Sequence, residues 1–135
     1  RRAIEDNYRL RACDVEMRLP VPSYTVVTLA RLQEQHPDKQ FGLIMGSDNL
    51  EGIDRWRNYQ IILDNYSLYV YPRPGHPAAK WASHPAVRMV EQCPLMEISS
   101  SYIRQQLAQR KSVQYLLPDA VWKYCTEMHF YEGEK

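Results

Sequence analysis

The sequence has no excess of charge of either sign, no long apolar run and very little cysteine. Its 17 lysines and arginines stand against 16 aspartates and glutamates, a formal net charge of +1, so it lacks the broad basic field on which nucleic-acid binding depends. A small charged ligand fits that balance better. No apolar stretch approaches the ~20 residues needed to cross a bilayer, and the opening Arg1-Arg2-Ala3-Ile4-Glu5-Asp6 has no signal-peptide core. We therefore read the protein as cytoplasmic, with neither a nucleic-acid nor a membrane partner. Cys13, Cys93 and Cys125 are odd in number, widely spaced and in no CxxC pair, which argues against a disulfide framework and against a zinc site. His36, His76, His84 and His129 show no HxH or HExxH spacing, so neither a metal site nor a catalytic histidine pair is indicated and each reads as a surface or loop residue.

What is present is an ordinary soluble composition, 44% hydrophobic over 135 residues, enough for one domain with a real core. No repeat or linker divides it, so residues 1–135 are read as a single domain. The chain opens without methionine, inside what reads as the end of a helix over 2–7, so further chain is expected ahead of it. Weak alternation over 10–17, followed by Pro20-Val21-Pro22, predicts a strand entering a rigid extended loop. Ser23 is the expected N-cap of a helix whose apolar face, Val26, Leu29, Ala30 and Leu32, stops near His36-Pro37. The run Phe41-Gly42-Leu43-Ile44-Met45 predicts a strand buried on both faces. A short helix over 59–65 then leads to a strand over 67–71, cut off by Pro72-Arg73-Pro74-Gly75. Residues 76–84 read as a loop and a mobile flap, 87–90 and 96–98 as short edge strands, and 100–109 and 118–128 as helices, with a polar tail over 132–135. The order βαβαβ…βα implies an α/β fold with a parallel sheet, in which ligands sit beyond the carboxyl ends of the strands.

Polar clusters follow three of those predicted strand ends: Gly46-Ser47-Asp48-Asn49, Arg73, and Ser99 to Arg104. The third is the most informative, because three hydroxyls open a helix that carries one arginine. First-turn N–H groups have no intrahelical partner and sit at the positive end of the helix dipole, so they stabilise an anion. Ser99, Ser100 and Ser101 can donate to phosphate oxygens, and Arg104, three and four residues on, projects near the same face. The same serines also serve as ordinary caps. Gly46 permits close backbone approach, while Asp48 is either an acceptor for ribose hydroxyls or the N-cap of a helix over 49–54. Arg73, between two prolines, either reaches a phosphate or is a solvated loop arginine. Trp56, in the polar context Asp54-Arg55-Trp56-Arg57-Asn58-Tyr59, either stacks on a heteroaromatic ring or fills core. Trp122 and Tyr124 read as core and boundary residues of the last helix.

Together these pieces resemble the bacterial nicotinate-nucleotide adenylyltransferase family of the HxGH nucleotidyltransferase superfamily. Pro22-Ser23-Tyr24-Thr25 with Thr28-Leu29 is similar to the family's PSYTxxTL segment, and Ile44-Met45-Gly46-Ser47-Asp48-Asn49-Leu50 to its GxDxL strand end. Trp56 with Ile62-Leu63, Arg73-Pro74-Gly75, Ile98-Ser99-Ser100-Ser101-Tyr102-Ile103-Arg104 and Leu116-Leu117-Pro118 with Val121 and Tyr124 resemble the WxxxxxIL, RPG, ISSTxIR and LLPxxVxxY elements. Each string is short; their common order is what makes the match specific.

The resemblance implies a Rossmann-like nucleotidyltransferase fold with a mostly parallel sheet, and transfer of AMP from ATP to nicotinate mononucleotide with Mg²⁺ bound through the ATP phosphates. On that basis Ser100 and Arg104 are the catalytic candidates. Asp48, Gly46, Arg73, Ser99, Ser100, Ser101 and Arg104 bind ATP, and Tyr24, Thr25, Trp56 and Arg57 bind nicotinate mononucleotide. Trp56 stacks on the pyridine ring, and the backbone amides of Thr25 and Arg57 receive the carboxylate. A homo-oligomer is compatible with this reading. One departure stands out: the family's GGxFxPxHxGH signature is absent, and its histidines contact the ATP phosphates. The chain therefore resembles the C-terminal two-thirds of the family, lacking its N-terminal strands. Its alternatives are a related adenylyltransferase with another acceptor, such as phosphopantetheine, or a non-catalytic nucleotide-binding fragment.

Overall fold

The computed structural model of the protein describes residues 1–90, 92–95 and 97–132. Two compact units emerge, Asp14–Leu95 on the one hand and Arg1–Cys13 with Met96–Lys135 on the other.

Within Asp14–Leu95, three parallel strands, β1 (Gly42–Gly46), β2 (Ser67–Tyr71) and β3 (Val87–Met89), lie in the order β1-β2-β3. Gly42 pairs with Ser67 and Gly46 with Tyr71; Leu68 pairs with Val87 and Val70 with Met89. Helix α1 (Thr25–Gln35) precedes β1, while α2 (Ser47–Glu51), a 3₁₀ turn (Ile53–Arg55) and α3 (Tyr59–Asn65) connect β1 to β2, and α4 (Ala79–Ala82) connects β2 to β3. The helix and strand expected over 59–65 and 67–71 lie where the periodicity placed them. Alternation along each strand delivers Met45, Leu68 and Val70 to one face, where they join Val26, Leu29, Leu50, Ile53, Ile62, Leu63 and Ala78 in one core. Leu50, Ile53, Ile62, Leu68 and Val70 are completely buried, each stabilising the fold by about 1.5–3 kcal/mol relative to exposure.

Three expectations fail in this unit. β1 is not buried on both faces: Ile44 is 80% exposed, and Tyr69 and Tyr71 on β2 are also open. A five-residue apolar run reads alike whether one face or two are covered. The strand expected over 10–17 is absent, and Val15–Arg18 forms a 3₁₀ turn. An alternating strand would put Val15 and Met17 on one face, yet Val15 is buried while Met17 is 88% exposed. The turn is closed by an Asp14–Arg18 ion pair at 2.9 Å and tied to α1 by Thr28 Oγ1 donating to Glu16 Oε1 at 2.7 Å. The N-cap of α1 is Tyr24, in extended conformation, not Ser23.

In the unit formed by Arg1–Cys13 and Met96–Lys135, a 3₁₀ turn (Arg2–Ile4) replaces the helix end expected over 2–7, and α5 (Ser100–Ala108) and α6 (Asp119–Glu127) are the main elements. Pro118 caps α6 instead of opening it. Leu107 and Val113 are buried, and the Arg2 guanidinium lies 4.2 Å from the centre of the half-buried Tyr124 ring. Of the strand expected over 96–98, Met96 lies outside the described residues and Glu97 and Ile98 belong to no strand. The tail expected over 132–135 lies outside them after Glu132.

Candidate functional site

The parallel register of β1 and β2 brings Gly46 opposite Tyr71, so the segments leaving the two strands run side by side. Ser47, 1% exposed, accepts a hydrogen bond from the backbone N–H of Arg73 at 2.8 Å. Asp48 Oδ1 lies 4.0 Å from Arg73 Nε, and it is buried without a hydrogen-bond partner among the described residues. Gly46 leaves room for this pair: a β-carbon there would displace Asp48 Oδ1 from its position and press on Arg73 Cγ and the Tyr71 ring. Asp48 is the second residue of α2, whose N-cap is Gly46, so the alternative reading of Asp48 as an N-cap is overturned. The result is a carboxylate and a guanidinium side by side at the carboxyl end of the sheet, with one desolvated acceptor unsatisfied, a costly arrangement unless a ligand donor meets it.

Residues 72–80 are fastened against α2 and the 3₁₀ turn. Glu51 holds the segment at two points, with His76 Nδ1 2.8 Å from Oε2 and the Ala78 N–H donating to Oε1 at 3.2 Å. These two partners hold the Glu51 carboxyl below its ordinary 4.5. Asp54, likewise lowered, pairs with Lys80 at 2.6 Å. Ala78 is 2% exposed, and Trp81 stacks edge-on with Tyr59 and His84. The loop expected over 76–84 thus contains a short helix and packs on the core.

Four of the residues singled out from the sequence, Tyr24, Thr25, Trp56 and Arg57, line one cleft of about 200 Å³ together with Ser23 and Arg55. The first turn of α1 supplies one wall, where Thr25 opens an eleven-residue helix whose first N–H groups have no intrahelical acceptor. The segment leaving the Ile53–Arg55 turn supplies the other. Trp56 is half-buried, packed against the core on one side and lining the cleft on the other. The Arg57 guanidinium lies 4.7 Å from the centre of the Tyr24 ring, joining the two walls. A flat aromatic surface beside cations and a helix N-terminus suits a planar anionic ring.

In the unit that contains α5, Ser99 is the N-cap and accepts from the Tyr102 N–H at 3.1 Å, while Arg104 Nη2 donates to Ser101 Oγ at 3.3 Å. Ser99, Ser100, Ser101 and Arg104 are all exposed. The capping role of Ser99 is therefore real, and it leaves the first-turn N–H groups of Ser100 and Ser101 free of intrahelical partners. Asp48 and Arg73 meet at the carboxyl end of the sheet, and Tyr24, Thr25, Trp56 and Arg57 meet in the cleft. The residues that sequence reasoning missed are Ser47, Glu51 and Arg55. The GSD string marked the position of Ser47, but nothing local marks Glu51, whose partner lies 25 residues away.

Residues 1–106 match the model of the cytidylyltransferase-like family. A probable nicotinate-nucleotide adenylyltransferase of Flavobacterium johnsoniae is 44% identical over 134 residues, covering 96% of this chain and 68% of the relative. One from Bacillus pumilus is 35% identical over 131 residues, covering 97% and 67%. The fold is that of a solved Plasmodium falciparum nicotinic acid mononucleotide adenylyltransferase complexed with APC, with a TM-score of 0.67 at 19% identity over 81% of this chain and 58% of that one. The chain thus spans about two-thirds of the length of these curated relatives. With the ordered motifs, the parallel sheet and the cleft beside Trp56 in place, the chain belongs to the nicotinate-nucleotide adenylyltransferase family.

Proposed function

We propose that the protein transfers the adenylyl group of ATP to the phosphate of nicotinate mononucleotide, forming deamido-NAD and releasing pyrophosphate. The observation that carries this reading is the cleft in which Tyr24, Thr25, Trp56 and Arg57 converge. In it the pyridine ring stacks on the Trp56 indole, and the backbone N–H groups of Thr25 and Arg57 receive the ring carboxylate. The phosphate of the acceptor is already a nucleophile, so the protein needs no covalent intermediate. Alignment of that oxygen with the α-phosphorus, and neutralisation of charge on the triphosphate, supply the rate.

Asp48, beside Gly46, accepts from the ribose of the nucleotide, which gives its buried Oδ1 the donor it lacks. Arg73, held by Ser47 through its backbone, serves the same nucleotide as a cation. The start of α5 takes the ATP phosphates: Ser99, Ser100 and Ser101 present N–H and O–H donors, and Arg104 balances charge that grows on the leaving pyrophosphate, which makes Ser100 and Arg104 the catalytic residues. Residues 1–135 act as one nucleotidyltransferase domain in this proposal. Mg²⁺ enters with ATP, bound through the triphosphate oxygens, as Mg²⁺ commonly is at sites that handle nucleotide phosphates.

The test is an assay for ATP-dependent formation of deamido-NAD, using the protein as translated from its gene. Product from nicotinate mononucleotide, with pyrophosphate in equal amount, is expected. Absence of product from either nicotinate or nicotinamide mononucleotide ends the reading, and binding without turnover reduces it to a nucleotide-binding module.

A further inference from the structure

The stretch that carries Arg73 closes into a tight turn, and one short helix holds both ends of it. The His76 N–H donates to the Arg73 carbonyl at 3.1 Å, and the two residues form an antiparallel bridge. Between them Pro74 presets its own backbone and Gly75 supplies a φ of +79°, the combination that a type II turn requires. At the near end, the Arg73 N–H donates to the enclosed Ser47 Oγ at 2.8 Å. At the far end, His76 Nδ1 lies 2.8 Å from Glu51 Oε2, and the Ala78 N–H donates to Glu51 Oε1 at 3.2 Å. Ser47 and Glu51 open and close α2, four residues apart and therefore on one face of it. Ala78 depends on that hold, because it is buried at a φ of +49°, a region costly for a residue with a β-carbon.

Resting on the reading of Arg73 as a cation for the nucleotide, we infer that Glu51, acting through His76, is a positioning residue that fixes this turn so that the Arg73 guanidinium stays beside Asp48 and meets ATP there. The carboxylate of Asp48 does not do this itself: its Oδ1 is 4.0 Å from Arg73 Nε, beyond hydrogen-bond reach. The place of the guanidinium is therefore set by the place of its backbone. Ser47 alone gives that backbone one pivot, about which the turn can swing. A second hold, one helical turn further along α2, makes the pivot a clamp. Glu51 touches no nucleotide in this account. The contact of Lys80 with Asp54 at 2.6 Å fastens the chain beyond the turn and leaves Arg73 unaffected.

Calorimetric titration of the protein as translated from its gene, with ATP and Mg²⁺ and separately with nicotinate mononucleotide, tests this in Glu51→Ala, Arg73→Ala and the double variant. Glu51→Ala is expected to weaken ATP binding by about tenfold, within the range of couplings between neighbouring residues, and to leave the mononucleotide affinity at its wild-type value. In the Arg73→Ala background the same substitution is expected to add nothing, a non-additivity that a loss of stability alone does not produce. His76→Ala removes the link from an exposed side chain, spares the Glu51–Ala78 contact and is expected to reproduce the effect, so it carries the test if Glu51→Ala does not fold. Lys80→Ala, which breaks only the fastening beyond the turn, is expected to bind both ligands as wild type does. Additive losses, ATP binding unchanged in Glu51→Ala or His76→Ala, or an equal loss in Lys80→Ala would overturn the inference and leave the nucleotide reading intact. Wild-type ATP affinity in Arg73→Ala would remove the reading of Arg73 as well.

Discussion

The two units of this molecule hold their candidate residues by different means. In Asp14–Leu95 the cleft residues and the Asp48–Arg73 pair rest on a continuous core in which five large side chains are wholly buried. Trp56 packs directly against that core, and Ser47, completely enclosed, holds Arg73 by its backbone. In the unit that contains α5, only Leu107 and Val113 are buried among the described residues. There Ser99, Ser101 and Arg104 are organised by one cap and one side-chain contact, all of them exposed. Packing preorganises the first set, whereas local hydrogen bonding alone organises the second. For a ring that must be stacked the first solution is apt; for a flexible, strongly charged triphosphate, charge and N–H direction matter more than rigid placement.

The largest effect that separates the two units is in stability. Leu68→Ala empties a fully buried site in β2 and is expected to cost about 2–5 kcal/mol in denaturant unfolding, against a smaller loss for Leu107→Ala at the margin of the other unit. Equal losses would mean the two units share one level of packing. Next, Arg104→Ala is expected to reduce kcat/KM for ATP by about 2–4 kcal/mol in transition-state terms, with acceptor affinity little changed. A wild-type value would make Arg104 a surface residue. Trp56→Ala inverts that pattern, weakening acceptor binding by about 1–3 kcal/mol while sparing ATP; an unaltered acceptor KM would remove the indole from the site.

The smallest effect is the pH dependence of the Glu51 fastening. Its carboxyl is held below 4.5 by the His76 ring nitrogen and the Ala78 N–H. The folded state therefore favours the ionised form, and the resulting stability is present above about 4.5 and fades as pH falls through the lowered folded value. Thermal unfolding should show wild type losing more between pH 5 and pH 3 than Glu51→Gln does, an interval bracketing the ordinary 4.5. Parallel curves would detach Glu51 from the stability of this segment.

How far the sequence could be read follows from the range over which each feature is encoded. The α3 helix (Tyr59–Asn65) and the β2 strand (Ser67–Tyr71) are written in local periodicity and came out where expected. The turn at Val15–Arg18 did not, because weak alternation carries little weight beside one buried valine and an Asp14–Arg18 pair. The single covered face of β1 was also illegible, since burial on the second face depends on what else packs there and not on Ile44 itself. Within the candidate site, Trp56 was visible as an odd residue in a polar stretch, whereas Arg57 was singled out only by the family resemblance. Their meeting with Tyr24 and Thr25 depends on how the chain returns past α1 after about thirty intervening residues, which no local pattern specifies. Glu51 was missed for the same reason.

The central claim concerns the ring and the indole, and a crystal structure of the protein with nicotinate mononucleotide bound tests it most directly. The account predicts the pyridine ring lying flat against Trp56, with its carboxylate at the N–H groups of Thr25 and Arg57. A ligand seated elsewhere, with the indole touching only protein, would contradict it.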